Sequence, residues 1–314
     1  MSAELVTLGE LLIDFTPCGL SEAGMQLYER NPGGAPANVA AAAARLGLSA
    51  AFVGKVGDDL HGRFLRDTLA AEGVDVSGLV VDGETATTLA FVELLPGGER
   101  DFSFVRRGCG DTLLQPEELP EALIRGAKVL HLGTLSLTDE PARSAALRAV
   151  ELAAEAGAAV SCDVNYRAPL WPSEDAFRRA CGDLLPRVDL LKVSLEEAAL
   201  LTDCADPPQA AELLQKRYGI KTVAVTLGAR GAWLEGYCPA FPARAADATG
   251  AGDCFWAAWI FARLRNRPDP LRFACAAASL CVERRGAIPA MPRLSAVEAR
   301  LNGVADLAQR RPLR

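Results

Sequence analysis

The feature that most constrains this chain is an alternation. Short apolar runs (LVTLG, AAFVGKVG, KVLHLG, AVSCDV, VDLLKVS and KTVAVTLG) are separated by amphipathic segments such as residues 140–156 and 207–218. Strand-length runs between helix-length patterns predict βαβ units and a mostly parallel sheet, an α/β fold. Residues 85–105, TATTLAFVELLPGGERDFSFV, depart from the rule. They predict two strands around a Pro-Gly-Gly turn, a hairpin with no helix between. With the stretch from about 12 to 30, this hairpin is expected to form a small β-sheet over one edge of the main body. No repeat, low-complexity tract or polar linker divides the 314 residues. One domain, 1–314, is therefore expected, with a β-lid from about 12–30 and 85–106. Half of the residues are hydrophobic, which is enough for a sizeable core.

Charge and cysteine usage exclude several classes. A formal net charge of −7 argues against a nucleic-acid partner. The start, MSAELVTLGE, lacks the basic and apolar regions of a secretory signal. The apolar run APANVAAAAARLG stops too soon, at Arg45, to span a bilayer. A cytoplasmic protein with no membrane contact is expected. The nine cysteines include no C-x-x-C pair and several lie in apolar segments, which predicts buried, reduced thiols. With only His61 and His131 as imidazoles, a zinc site is not expected.

Residues capable of chemistry gather where strands end. Asp14 follows LLI, Asp163 follows AVSC, Glu197 lies just past LLKVS and Gly228 follows VAVTL. In open parallel sheets ligands bind at the carboxyl ends of strands. Unpaired buried carboxylates are costly, so a shared polar cleft accounts for them best. In DATGAGD, residues 247–253, a glycine-rich turn opens a helix and leaves amide donors facing outward, a cradle for a phosphoryl group. Asp253 beside that cradle suits a proton acceptor, and the plainer alternative is a carboxylate that complements the helix dipole. In NPGGAPANVAAAAARLG, residues 31–47, Gly33 and Gly34 permit close backbone approach and Asn38 projects an amide. This suits a polyhydroxylated ligand, or is simply turn-helix punctuation. Trp256 and Trp259 predict core packing. Arg263, Arg265 and Arg267 predict a solvated helix end, and QRRPLR a frayed tail.

GGAPANVA and DATGAGD resemble the two signatures of the PfkB, ribokinase-like, carbohydrate kinases in order and separation, and the resemblance covers nearly the whole chain. GKVGDDLHG (54–62), VTLGARG (225–231) and RRGAIPAMP (284–292) match in order. GELLIDF, FSFVRRGCGD, DVNYRAPLWPS and LLKVSLEE are most similar to fructokinases. The resemblance implies a ribokinase-like three-layer α/β/α fold with a mostly parallel central sheet and a small β-sheet lid. It implies an ATP-dependent sugar kinase acting on a primary hydroxyl, with fructose the favoured acceptor. The alternatives are a 2-keto-3-deoxygluconate kinase, a ribokinase, or a catalytically silent sugar-binding regulatory protein. Homodimers through the lids are frequent in this family.

The resemblance also implies roles. Asp253 matches the catalytic base, with the amides of Gly250, Ala251, Gly252 and Asp253 as its anion hole. Asp14, Gly33, Gly34 and Asn38 match sugar-contacting positions, and Arg106 an arginine reaching from the lid. Asp163, Asn165 and Arg167 line the cleft floor. Thr226, Gly228 and Gly231 match the nucleotide side. Glu197 matches a glutamate that organises Mg²⁺ through water. Asp247 and the Thr249 carbonyl match a monovalent-cation site, with K⁺ the candidate ion. Departures are Ala248 for the usual threonine, Ser194 for the motif's asparagine, Leu195 for an aspartate, Val105 for a tyrosine, and Cys275 for an asparagine near adenine.

Overall fold

The computed structural model describes residues 3–94 and 100–309. Its strands, in chain order, are β1 Leu5–Leu8, β2 Leu12–Leu20, β3 Gln26–Gly33, β4 Ala50–Gly57, β5 Asp75–Asp82, β6 Leu89–Leu94 and β7 Arg100–Val105. They continue with β8 Val129–Gly133, β9 Ala159–Asp163, β10 Leu190–Ser194, β11 Thr222–Thr226, β12 Gly231–Trp233 and β13 Tyr237–Pro239. Nine form one sheet in the order β13-β12-β11-β10-β9-β8-β1-β4-β5, parallel from β11 to β5, with β12 and β13 antiparallel at one edge.

The period of two along each strand divides the protein into layers. Val6, Leu8, Leu130, Leu132, Val223 and Val225 enter one core with helices Ala142–Glu155, Glu174–Leu184, Leu195–Thr202 and Pro207–Tyr218. Leu5, Val129 and Ala224 enter the other, with helices Ala35–Leu46, Ala251–Leu264 and Pro270–Cys281. The architecture is the expected three-layer α/β/α arrangement. The alanines of Ala35–Leu46 are nearly all buried, and their small side chains let this helix pack on the sheet and on Ala251–Leu264 together. Trp256 and Trp259 are core residues, stacked with centroids 4.7 Å apart. All nine cysteines are free thiols and six are buried.

The second sheet has the order β3-β2-β6-β7. β6 and β7 form the antiparallel pair expected of a hairpin, although its Pro-Gly-Gly turn lies outside the described residues, as does the tail beyond Gln309. Where β7 ends, Arg106 anchors the lid. Its guanidinium pairs with Asp111 at 2.7 Å and donates to Thr138 Oγ1 at 2.6 Å and the Leu135 carbonyl at 2.9 Å. Both members of the Arg106–Asp111 pair are buried.

The arginines after Trp259 lie at the solvated helix end expected, and two of them also make ion pairs. Arg265 binds Glu4 through two nitrogens, each at 2.7 Å, and Arg267 pairs with Glu298 while lying 5.0 Å over the Phe273 ring. Tertiary packing brings carboxylates from distant segments to this helix end, where Arg263 and Arg265 are exposed and Arg267 is half-buried. Among the described residues no helix is long and apolar enough to cross a membrane.

Candidate active site

The two glycine-rich motifs meet at one hydrogen bond. Asn38 stands in the first turn of the helix Ala35–Leu46, which Gly34 and Pro36 start immediately after β3. Its Nδ2 donates to Asp253 Oδ2 at 2.8 Å, and both side chains are buried. Asp253 lies in the first turn of Ala251–Leu264. That helix starts at Gly250, with φ 75°, where an added Cβ would also come within 2.9 Å of the Ala287 Cβ, so only glycine fits. The Ala251 N–H closes the turn onto the Ala248 carbonyl at 3.2 Å. The amides of Gly252 and Asp253 precede the helix's first α-type bond, that of Cys254 to the Gly250 carbonyl at 2.8 Å. These two amides, with the helix dipole, are placed where an anion cradle would need them. Asp247 braces it: one carboxylate oxygen accepts from the Thr249 N–H and hydroxyl at 2.8 and 2.7 Å, the other from the Gly286 N–H at 3.0 Å.

On the sugar-facing side expected from the sequence, Asp14 in β2 lies against Gly33 in β3, where any side chain would overlap its carboxylate. Glu10, which the sequence reading missed, accepts the Ala35 N–H at 2.8 Å and so fixes the start of the Asn38 helix. The cleft floor comes from adjacent strand ends. Asp163 of β9 and Lys192 of β10 are cross-strand partners, and Lys192 Nζ meets Asp163 Oδ2 at 2.7 Å. Glu197 accepts the Tyr166 N–H at 2.8 Å and the Ser194 N–H at 2.7 Å, and Ser194 caps the helix Leu195–Thr202 in return. Asn165 takes a left-handed conformation, φ 44°, in the loop between Asp163 and Arg167. On the other side of the Gly252 turn opens a cavity of ≈ 560 Å³ whose lining includes Thr226, Gly228, Gly231, Phe241, Gly252 and Cys275. The structure does not join Arg106 to this cluster by a hydrogen bond, because its donors are held by Asp111, Thr138, Asp139 and Leu135.

Burial governs the electrostatics of the cleft. It pushes Asp253 up to about 6, with the Asp163 charge adding to the rise and Lys192, the Asn38 hydrogen bond and Arg167 opposing it. Burial likewise pushes Asp14 up to about 7, against Arg167, and Glu10 up to about 7. Glu197 is raised by burial despite Lys192. Burial pulls Lys192 toward neutrality, but the charges of Asp163 and Glu197 outweigh it and leave the ammonium above the ordinary lysine value. Among the described residues, the buried polar atoms without a hydrogen-bond partner include Asn38 Oδ1, Asp163 Oδ1 and Glu10 Oε2. Leaving such atoms unpaired costs about 1–3 kcal/mol each. Among the described residues no group of three or more His, Cys, Asp or Glu side chains is placed to hold a metal ion directly.

The arrangement has counterparts. The profile of the pfkB family carbohydrate kinases matches residues 2–294. "Probable fructokinase-4" of Arabidopsis thaliana is 42% identical over 320 residues, 95% of this chain and 97% of that protein. A fructokinase with bound ATP from Xylella fastidiosa superposes with a TM-score of 0.85 at 32% identity, covering 96% of this chain and 99% of that one. A double mutant of the Vibrio cholerae O395 fructokinase, in fructose, ADP and potassium ion bound form, gives 0.86 at 31% identity, with 96% and 99% covered.

An unperturbed aspartate titrates at about 3.9. With Asp253 raised to about 6, its proton-accepting form should grow as pH climbs through 6. Carbon-13 NMR of the Asp253 carboxyl should show that midpoint, and Asn38→Ala, which removes a donor to the charged form, should move it higher. A midpoint near 4, or a downward move in the variant, would contradict the geometry.

Proposed function

The chain belongs to the pfkB family of carbohydrate kinases, and from that membership we propose that it is a fructokinase, transferring the γ-phosphoryl group of ATP to a primary hydroxyl of D-fructose. The observation that carries this reading is the Asn38–Asp253 hydrogen bond, which sets a base of raised pKa at the mouth of an anion cradle.

The sugar lies against Asp14, Gly33, Gly34 and Asn38, where Asp14 packs directly on Gly33 and offers a carboxylate to its hydroxyls. An acidic sugar fits less well, because Asp14, Asp163 and Asp253 face it and Arg167 and Lys192 are the nearby cations. ATP places its base and ribose in the cavity beside Thr226, Gly228, Gly231 and Cys275, a volume within the range of small-ligand pockets. Its terminal phosphoryl then meets the Gly252 and Asp253 amides. Asp253 accepts the hydroxyl proton as the sugar oxygen attacks, and the cradle holds the transferring charge. The lid excludes water from the reacting atoms, and Arg106 holds the lid to the main body.

Mg²⁺ fits Glu197. That ion keeps several waters and is held by one or two carboxylates with substrate phosphates, and Glu197 presents one carboxylate whose orientation is fixed by two backbone donors. Bound there, it supplies positive charge that the acidic cleft lacks. K⁺ fits beside Asp247 and the Thr249 carbonyl, where it would stiffen the braced turn. Rates in K⁺ should exceed those in Na⁺ or a bulky organic cation at equal ionic strength, and equal rates would remove this site. The lid exposes Leu20, Met25, Leu27, Tyr28 and Val105, and we propose that they face a second copy in a cytoplasmic homodimer. Light scattering should give twice the 33.2 kDa chain mass, with Met25→Lys shifting it toward monomer, whereas a monomeric wild type would exclude the dimer.

The deciding experiment is a sugar panel assayed for ATP consumption with wild type and Asp253→Asn. Fructose should have the highest kcat/KM. The variant should lose roughly 10²- to 10⁴-fold in kcat while binding fructose nearly as well, since the amide keeps the shape but not the basicity. Tenfold preference for an acid sugar, or retention of more than about a tenth of kcat by the variant, would overturn the assignment.

A further inference from the structure

Lys192 is a charged residue in the middle of a buried strand, and nothing in the fold requires it there. Its neighbours Leu191 and Val193 point into the opposite core, while its own side chain turns to the cleft face. The ammonium is buried, yet Asp163 Oδ2 is its only hydrogen-bond partner among the described residues. Two N–H donors remain, in a site where unpaired donors are costly. The ammonium sits against the cradle turn: a Cβ built on Gly252 would lie 2.9 Å from Lys192 Nζ, so the glycine leaves room for it. Carboxylates outnumber cations in this cleft, and an incoming triphosphate adds more negative charge. Arg167, the other nearby cation, donates to the Tyr166 carbonyl and is only half-buried.

We infer that Lys192 is a catalytic residue that donates hydrogen bonds to a non-bridging oxygen of the γ-phosphoryl group, with Asp163 holding the ammonium in place. This rests on the kinase reading above. In the step itself, the sugar oxygen forms a bond to the γ-phosphorus, the bond to the β,γ-bridging oxygen breaks with its electron pair leaving on ADP, and the hydroxyl proton passes to Asp253. Lys192 keeps its protons throughout and meets charge that ADP does not carry.

The test is calorimetric titration of wild type and Lys192→Met with AMP-PNP, ADP and D-fructose in the presence of Mg²⁺, beside steady-state kinetics. Lys192→Met should weaken AMP-PNP at least tenfold, leave ADP and fructose within about twofold, and lower kcat about 100-fold or more. Because that variant leaves Asp163 buried without its partner, the Asp163→Asn/Lys192→Met double variant carries the same comparison in a neutral pair. It too should lose the preference for AMP-PNP over ADP. Equal weakening of both nucleotides, a tenfold loss of fructose binding, or an unchanged kcat would make Lys192 a structural residue and leave the fructokinase reading standing. Absence of ATP-dependent phosphorylation by wild type would overturn both.

Discussion

The bond from Asn38 to Asp253 joins residues 215 positions apart, and the rest of the site depends on it. It requires two helices to start at the same place above the sheet. The Asn38 helix is fixed there by Gly34 and by the Glu10 carboxylate at the Ala35 amide. The Asp253 helix is fixed by Gly250 and by Asp247, whose oxygens tie the turn to Gly286. The alanine-rich face of the first helix then packs against the second, so the buried apolar contact holds the polar one at its end. A misplacement of either start would separate the Asp253 carboxylate from the Asn38 amide.

Much of this was legible in the residues. Period-two apolar runs between amphipathic segments specify a parallel sheet with helices on both faces, and strand-end carboxylates mark the ligand edge. The glycine motifs were legible because positive φ and close approach leave so few residue types available, as at Gly250 and Gly33. What stayed hidden were pairings across the fold. The solvated helix end that carries Arg265 was legible, but not its partner Glu4, 261 residues away. Arg106 is held by Asp111, only five residues on, and by the Leu135 carbonyl, which nothing near it in sequence announced. Lys192 did carry a signal: a lysine inside the apolar run LLKVS cannot be buried without a reason. Its meaning appeared only once β9 set Asp163 beside it.

Burial sets the chemistry of this cluster of polar residues. Asn38 Oδ1, Asp163 Oδ1 and Glu10 Oε2 are buried oxygens without a hydrogen-bond partner among the described residues, and such atoms are costly. The same burial that makes these atoms costly raises Asp253 toward neutral pH, where a carboxylate serves as a base without being fully protonated. Desolvation therefore sets costly polar atoms and a carboxylate of raised pKa in one place.

That account requires a single transfer in which Asp253 takes a proton and never takes the phosphoryl group. The stereochemistry at phosphorus decides this directly. With ATP made chiral at the γ-phosphorus by oxygen isotopes, direct attack by the fructose hydroxyl gives inverted configuration in the sugar phosphate, which is the result predicted here. Retention would mean two successive displacements through a phosphorylated enzyme group, and would contradict the role assigned to Asp253.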